Sequence, residues 1–282
     1  MKLSIVTPNY NYEQFIGQTI ESVVAQDYDN IEYIIVDDGS TDNSIELIKS
    51  YQKLYPKKIK LIQQENKGQT CAINTALKNT TGDIIGWINS DDTYLPGTFR
   101  KIVKEFKENN VDIVFGDVNI MDLKGNFIYR LRHFRFCYVE SVFVGFSNTL
   151  TSNSVFWRKS LTNSIDLMKE NLKCNMDGEY FSRLTLNKKV IYIKEPLANF
   201  RRQEKTKAAE KTKEWEIFIA KERNETQRLA YYNLSMSKYI SYDRTKLFGY
   251  CFLLFRSLKR VLFFHYQRKF IEKLVYKLKL RK

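Results

Sequence analysis

The stretch DIIGWINSDD, residues 83–92, decides the fold that we predict for this chain. Its apolar run, residues 84–88, has the length and composition of a buried strand, with Gly86 as the one gap. The run ends at an acidic pair, Asp91 and Asp92. Two adjacent carboxylates at the end of a buried strand repel each other unless a cation or hydrogen-bond donors hold them. Because ligands bind at the carboxyl ends of strands in open α/β sheets, we predict a site for a hard divalent cation there.

A second interpretation is a strand-to-helix turn, in which Asp91 or Asp92 caps a helix that opens at Pro96. A cap requires one carboxylate, whereas the sequence supplies two. We therefore favour the metal interpretation.

The same alternation of strand, polar loop and helix continues on both sides of this stretch. Helices separate four further predicted strands, at residues 3–6, 31–36, 59–62 and 112–115. Polar loops follow the carboxyl ends of the first strands: TPNYN (7–11), DDGS (37–40), ENKG (65–68) and NSDD (89–92). This order predicts an α/β fold with a mostly parallel sheet and these loops along one edge. The chain has no GxGxxG or GxxxxGK[ST] sequence, so phosphates require another binding device.

The second half of the chain is less regular. A hairpin is predicted over residues 120–131, whereas the aromatic residues 134–146 are ambiguous. Three elements are predicted beyond them: a strand at 154–157, a helix at 177–186 and a strand at 190–193. If the protein transfers a group, we expect the pocket for the acceptor substrate in this half.

Composition excludes several classes of function. The net charge is +14, but residues 205–282 carry +13 of it and the preceding 204 residues only +1. A nearly neutral body argues against nucleic acid as the ligand, because phosphate contacts need basic residues across the binding face. Two His residues argue against a histidine-based zinc site or a Ser-His-Asp triad. Four Cys residues without a CxxC pair fit reduced thiols in a reducing compartment.

The termini bear on where the protein acts. The sequence begins directly with a predicted strand, with no signal-peptide pattern, so we expect a cytoplasmic protein. The longest uncharged apolar run, residues 247–255, is shorter than the roughly 20 residues of a spanning helix. Residues 244–282 have a basic amphipathic pattern, which leaves two interpretations. The segment packs on the body, or it docks on an anionic membrane surface at the inner face of the cell membrane.

Four motifs together are similar, in order and spacing, to the family 2 nucleotide-sugar glycosyltransferases, which have the GT-A fold. These motifs are TPNYN, VDDGSTD (36–42), ENKG with Asn74 following, and GWINSDD (86–92). The resemblance covers residues 1–120, and the FGD, FWRK, MDGEYFSRL and PLANFR segments extend it to about residue 202. It implies metal-dependent, inverting transfer of a sugar from a nucleotide diphosphate donor such as a UDP-sugar. The acceptor would be a glycan or lipid-linked glycan, often in bacterial surface polysaccharide assembly.

The resemblance also implies a domain organisation. Residues 1–204 would form the GT-A domain, with a nucleotide-binding half (1–120) and an acceptor half (121–204). Residues 205–282 would form a basic helical extension.

The resemblance assigns the nucleotide to the early loops. Pro8 and Tyr10 would contact the nucleotide, with Tyr10 against the base, and Asp38 would hydrogen-bond the base edge. For Asp37 we favour a role in forming the turn. Lys67 would reach the diphosphate, although a lysine in a turn is more often simply solvated.

The metal contacts would come from the acidic pair. Asp91 is similar to the family's ribose or water-mediated metal contact, and Asp92 to the direct ligand of Mn2+ or Mg2+. Many relatives have a His shortly after the pair that matches Phe200-Arg201, but this chain has Gln203 there. An amide is a poorer ligand for a divalent cation than imidazole, so we expect its place to be taken by water, or by Arg201, Arg202 or Lys205 on the phosphates.

Asp177, in MDGEY (176–180), stands where the family keeps its general base. Inverting transfer needs one carboxylate within reach of the acceptor hydroxyl. Glu179 is the rival, two residues along. Alternatively, either acid could simply favour the dipole at the start of a helix.

Two other functions compete with the glycosyltransferase. A nucleotidyltransferase that makes sugar nucleotides would have a similar sheet, but TPNYN lacks the Gly-rich loop that such enzymes usually carry after the first strand. The other alternative is a non-enzymatic basic module that binds nucleic acid or a membrane surface, and the nearly neutral body argues against nucleic acid as its main ligand.

Overall fold

The computed structural model of this protein describes residues 1–172, 174–203 and 213–233, with side chains from residue 216 onward in the last segment. The strands are β1 (Leu3–Asn9), β2 (Ile31–Asp37), β3 (Ile59–Gln63), β4 (Ile84–Trp87), β5 (Thr93–Tyr94), β6 (Ile113–Met121), β7 (Phe127–Leu131), β8 (Val155–Arg158) and β9 (Val190–Arg201). The helices are α1 (Ile16–Val24), α2 (Ser44–Leu54), α3 (Gln69–Lys78), α4 (Thr98–Glu108), α5 (Tyr138–Val144), α6 (Phe146–Thr149), α7 (Lys159–Asn163), α8 (Met176–Leu184) and α9 (Lys213–Tyr232).

All the described strands belong to one mixed sheet, in the order β3-β2-β1-β4-β8-β6-β9-β5, with β7 paired to β6. β1 is parallel to β2 and β4, and β6 is parallel to β9. β8 is antiparallel to both of its neighbours, β4 and β6, and β5 is antiparallel to β9. The predicted α/β fold, a mixed sheet flanked by helices, is therefore confirmed. The alternation of elements had not indicated that an antiparallel strand would lie in the middle of the sheet.

Strand β4 lies between β1 and β8 and is buried on both faces. Ile84 and Ile88 pack in the core that includes α1 and α4, whereas Ile85 and Trp87 pack in the core that includes α3 and α8. A strand covered on both sides has no polar face, which explains the continuous apolar run of residues 84–88. Each such side chain contributes about 1.5–3 kcal/mol through its burial.

Gly86 interrupts this run because β8 approaches closely there. Gly86 pairs with Phe156 across the antiparallel ladder. A Cβ atom at residue 86 would lie 2.6 Å from the Phe156 ring and 3.1 Å from Cδ1 of Ile5. The gap in the apolar pattern is thus the space that the Phe156 ring occupies.

Strands β6 and β9 are both longer than predicted. β6 continues through Gly116 and Asp117 to Met121, although the sequence indicated an end at those two residues. β9 runs over 12 residues and passes through Pro196, where a short strand had been expected to stop. The register shifts on either side of Asp117, which pairs with Pro196. Such an irregularity accommodates a proline, because proline has no N–H to donate to the ladder.

The region between β6 and α9 contains both confirmed and corrected predictions. The hairpin of β6 and β7 turns at residues 122–126, as predicted. The ambiguous residues 134–146 include helix α5. Helix α8 begins at Met176 and ends at Leu184, so Leu186, which we expected on its inward face, lies beyond the helix.

Helix α9 packs against α5 and α8. Its Tyr231 is buried beside Phe143, and Gln227 Nε2 donates a hydrogen bond of 3.0 Å to the Phe143 carbonyl oxygen. The division at residues 204 and 205 stays a prediction, and the amphipathic segment 244–282 lies outside the described residues. Within the described part of the chain, no helix is both long and apolar enough to span a membrane.

Candidate active site

Hydrogen bonds between loops bring the carboxyl ends of β1, β2 and β4 together. Ser90 Oγ donates to the Pro8 carbonyl oxygen over 2.8 Å, which ties the NSDD loop to the TPNYN loop. The Asp38 N–H donates to the Asn9 carbonyl oxygen over 2.8 Å, which ties the DDGS loop to the same place. The predicted gathering of these loops along one edge of the sheet is confirmed.

The two carboxylates after β2 have different partners. Asp37 accepts hydrogen bonds from Asn9 Nδ2 at 2.8 Å and from the Ser40 N–H at 2.9 Å, as a turn-forming residue would. Asp38 accepts from the N–H groups of Lys67 and Gly68, at 3.0 and 2.8 Å. Asp38 therefore fixes the ENKG loop beside the DDGS loop, and its predicted contact with a base stays a prediction.

Three other residues assigned to the nucleotide lie on this edge. Pro8 is buried within β1, and Tyr10 follows the strand with 42% of its surface exposed. The exposed Lys67 contributes its backbone N–H to Asp38. Tyr10 is thus available to stack against a ligand, and the Lys67 side chain stands at the rim of the loops.

Asp92 is almost completely buried, with 1% of its surface exposed. Its Oδ1 accepts a hydrogen bond of 2.9 Å from the Arg201 backbone N–H. Its Oδ2 has no hydrogen-bond partner among the described residues, although the amides of Asn89 and Asn153 lie close enough to lower its pKa. Burial raises the pKa of Asp92 well above its usual range, and the charge of Asp91 raises it further.

Asp91 is half-buried beside Asp92. Gln203 Nε2 donates to Asp91 Oδ2 over 2.7 Å. Burial raises the pKa of Asp91, while the Gln203 hydrogen bond and the Arg201 charge lower it. Gln203 therefore lies at the acidic pair, as its alignment with the family His implied.

The structure contradicts the interpretation in which the acidic pair caps a helix. Strand β5 separates Asp92 from helix α4, which begins at Thr98 and not at Pro96, so neither Asp91 nor Asp92 caps that helix. An orphan carboxylate oxygen in the interior, next to a second carboxylate, fits a hard divalent cation. The described residues contain no cluster of three or more His, Cys, Asp or Glu side chains suited to a metal. Two carboxylates suffice for Mg2+, which is commonly held by one or two carboxylates together with substrate phosphates.

Arg201 supports this pair but is committed to protein acceptors. Its Nε donates to the Asp91 carbonyl oxygen at 2.9 Å, and its Nη2 donates to Gln18 Oε1 at 2.7 Å. Its Nη1 donates to the Leu123 carbonyl oxygen at 2.8 Å, and the guanidinium stacks 4.7 Å from the Phe15 ring centre. We therefore assign Arg201 to holding the NSDD loop, rather than to the phosphates that the sequence had suggested.

Asp177 lies in the first turn of α8. Its Oδ1 accepts hydrogen bonds from the Gly178 N–H at 2.7 Å and from Ser147 Oγ at 3.1 Å. Both of these hydrogen bonds reach Oδ1, so Oδ2 is the oxygen that could accept a proton. Burial raises the pKa of Asp177, and the two hydrogen bonds oppose that rise. The adjacent Met176 contacts Thr70 of α3, which follows the ENKG loop, so α8 begins near the edge of the sheet that carries the loops.

Glu179, the alternative candidate for the general base, is held by ion pairs. It is 4% exposed and pairs with Arg183 through both carboxylate oxygens, at 2.9 and 2.8 Å. Lys169 Nζ lies 3.0 Å from the same carboxylate. Both carboxylate oxygens of Glu179 are occupied by these cations, so the geometry favours Asp177.

Sequence reasoning missed Ser147, which binds Asp177 from helix α6, 30 positions earlier in the chain. A serine in the segment GFSNT (145–149) carries no recognisable motif, so no local signal could have identified it.

The mixed α/β sheet, with an acidic pair at the carboxyl end of β4, places this chain in the class of proteins with the GT-A fold. The sequence matches the model of "Glycosyl transferase family 2" over residues 4–168, and the chain belongs to that family. The match ends before Asp177, whose assignment therefore depends on geometry.

Similar proteins fit this class. An uncharacterized glycosyltransferase of Nostoc sp. is 40% identical over 122 residues, which is 43% of this chain and 38% of the relative. GlyG, a glycosyltransferase of Streptococcus pneumoniae, is 32% identical over 140 residues, which is 49% of this chain and 46% of the relative. The chain thus spans less than half the length of these curated relatives.

Solved structures share the fold. S. aureus TarS residues 1–349 in complex with UDP-GlcNAc has a TM-score of 0.63 and 18% identity, covering 87% of this chain and 75% of that chain. The mannosyltransferase PcManGT from Pyrobaculum calidifontis, in complex with GDP-Man and Mn2+, has a TM-score of 0.56 and 15% identity, covering 100% of this chain and 88% of that chain. The GT-A fold is thereby confirmed.

Proposed function

We propose that this protein is a metal-dependent, inverting glycosyltransferase that transfers a sugar from a nucleoside diphosphate donor to an acceptor hydroxyl. The observation that carries the proposal is the buried Oδ2 of Asp92, which lacks a hydrogen-bond partner among the described residues and lies beside Asp91 at the carboxyl end of β4. Such a pair is costly to bury unless a cation joins it. Asp92, with Asp91, would hold Mn2+ or Mg2+ together with the donor diphosphate.

The loops around this pair would bind the nucleotide. Tyr10 offers an exposed ring for the base, and Asp38 holds the ENKG loop that carries Lys67. Family membership and the UDP-GlcNAc and GDP-Man complexes of the structural neighbours support a nucleotide-sugar donor, and we favour a UDP-sugar.

Asp177 would act as the general base. Its Oδ2 accepts the proton of the acceptor hydroxyl, while the Gly178 N–H and Ser147 Oγ hold Oδ1 in place. The acceptor oxygen then attacks the anomeric carbon on the face opposite the departing diphosphate, which inverts the configuration. A bound cation supplies electrostatic stabilisation to the leaving group, so no second catalytic carboxylate is needed.

Calorimetry with UDP and Mn2+ tests the cation site. Asp92→Ala should abolish the cation-dependent part of UDP binding and leave the fold intact. Asp29→Ala is the matched control, because Asp29 is an exposed carboxylate paired with Lys58. UDP affinity that is equal in wild type and Asp92→Ala, and unchanged by excess chelator, would refute the proposal.

We further infer that the acceptor is a glycan or lipid-linked glycan of a bacterial surface polysaccharide and that the protein acts at the inner face of the membrane. The +13 charge of residues 205–282 supports this location, because anionic headgroups attract each nearby Lys or Arg by roughly 1 kcal/mol. Full-length protein should sediment with anionic vesicles at low salt and less at high salt. Absence of sedimentation at low salt contradicts the location but not the transferase activity.

A further inference from the structure

Helix α9 contacts the loop that leads into α8, immediately before Asp177. Glu222 of α9 is 7% exposed, and its Oε2 accepts hydrogen bonds from the N–H groups of Cys174 and Asn175, at 3.0 and 3.2 Å. The first N–H groups of a helix lack partners within the helix and favour a negative charge. Glu222 thus fixes, from another helix, the backbone of the two residues that immediately precede α8.

One turn further along α9, Thr226 fixes the side chain of Asn175. Asn175 Nδ2 donates to Thr226 Oγ1 over 3.0 Å, so the amide oxygen, Oδ1, faces the opposite way. Ser147 Oγ lies 2.9 Å from that Oδ1 and 3.1 Å from Asp177 Oδ1. The Ser147 hydroxyl has one proton for these two acceptors, so the orientation of Asn175 decides how Ser147 meets Asp177.

Gly178 lies against the hydrogen bonds of Ser147 and Asn175, where there is no room for a side chain. A Cβ atom at residue 178 would collide with Ser147 Oγ and with Asn175 Oδ1. The glycine next to Asp177 is therefore required by the network itself, because any side chain would displace Ser147 or Asn175.

We propose that helix α9 positions the general base: Glu222 and Thr226 are positioning residues that hold Asp177 through Asn175 and Ser147. This inference rests on the proposed function, in which Asp177 accepts the acceptor proton. Both α8 and α9 lie beyond residues 4–168, the part that matches the family model. The catalytic half of the site is thus completed by a helix outside the matched region.

Steady-state kinetics of the full-length chain test the inference, with UDP-sugar and acceptor varied separately. Thr226→Val keeps the shape of the side chain and removes its hydroxyl, so Asn175 Nδ2 loses its acceptor. We expect kcat to fall about tenfold or more, because a small displacement of a reacting group has such an effect, while KM for the donor stays unchanged. Thr226→Ser retains the hydroxyl and should retain kcat.

Glu222→Gln provides a second variant, with the same expected loss in kcat, in case Thr226→Val fails to fold. Glu225→Gln is its control, because Glu225 is exposed on the same helix. Equal kcat values for Thr226→Val and Thr226→Ser, or a rise in donor KM without a fall in kcat, would overturn the inference. If Thr226→Val has the wild-type kcat and Asp177→Asn is inactive, the positioning role of α9 is refuted and the base assignment stands. If Asp177→Asn is active, the assignment of Asp177 as the general base is itself refuted.

Discussion

Gln203 donates a hydrogen bond from Nε2 to Asp91 Oδ2 over 2.7 Å, across 112 positions of sequence. This bond occupies Oδ2 of the Asp91 carboxylate and fixes the direction in which Oδ1 points. A glutamine amide can thus orient a carboxylate of the acidic pair.

We predict that Gln203→Ala weakens Mn2+ binding in the presence of UDP by about tenfold. The physical reason is that partners which orient a metal-binding carboxylate typically contribute about 10–100-fold in metal affinity. Calorimetric titration of Mn2+ measures the change, and Gln63→Ala, at an exposed glutamine on β3, serves as the control. Unaltered Mn2+ affinity in Gln203→Ala would show that Asp91 does not need this donor.

A second prediction concerns the pH dependence of transfer. Burial already raises the pKa of Asp177, and the Ser147 hydrogen bond lowers it. Activity requires the ionised carboxylate, so it should be lost as the pH falls through this raised pKa. Ser147→Ala removes a donor to the ionised form and should shift the acidic limb of kcat to higher pH. A limb that stays in place, or moves to lower pH, contradicts the role of Ser147.

A third prediction distinguishes the roles of the two acidic residues of α8, Asp177 and Glu179. Asp177→Asn should lower kcat by about 10²-fold or more, the scale of general-base catalysis, with little loss of stability. A neutral amide there removes a buried charge, because the raised pKa of Asp177 means that the fold disfavours its ionised form.

Glu179→Gln should behave in the opposite way. It leaves Arg183 and Lys169 without their carboxylate and should cost about 1–3 kcal/mol in the free energy of unfolding, with kcat largely retained. Urea unfolding and transfer assays on both variants decide the matter. Loss of transfer in Glu179→Gln, with normal transfer in Asp177→Asn, would move the base to Glu179.

A fourth prediction concerns stability far from the active site. Burial raises the pKa of Glu32, but hydrogen bonds from Lys2, Ser4 and Thr81 outweigh burial and lower it from 4.5 to about 2. A lowered pKa means that the carboxylate stabilises the fold above its unfolded pKa and that this contribution is lost as the pH falls from about 4.5 toward 2.

Glu32→Gln should therefore reduce the free energy of unfolding at pH 7 by on the order of 1–2 kcal/mol, a value below the full shift because the group is partly solvated. At pH 3 the difference between Glu32→Gln and wild type should be smaller. Urea unfolding at both pH values measures it, with Glu108→Gln on the surface of α4 as the control. An equal difference at both pH values would contradict the role of the charge.

The first half of the fold could be predicted because its signals are local. Residues 84–88 show the apolar run of a strand buried on both faces, and the loops at Pro8, Asp38 and Asp92 follow directly from strand ends. The second half depends on distant partners. β8 lies between β4 and β6 because of pairings over about 70 and 40 positions, and β9 passes through Pro196 because the ladder shifts register at Asp117.

The candidate site likewise contains residues that the sequence could predict and residues that it could not. Asp91, Asp92 and Asp177 stand in motifs, whereas Ser147 and Thr226 act through contacts that no spacing indicates. The rival Glu179 could be set aside only when its ion pair with Arg183 became visible.

The hydrogen bond from the Arg201 N–H to Asp92 has a consequence for biosynthesis, because its partners are 109 positions apart. Contacts between distant residues form late in folding, and a chain is synthesised from its N-terminus. Asp91 and Asp92 therefore leave the ribosome long before the Arg201 N–H of β9 can donate a hydrogen bond to Asp92. Until then, water molecules solvate the two carboxylates. β9 is the last of the described strands to be made. The proposed cation site would therefore be complete in a nascent chain only after β9 has joined the sheet.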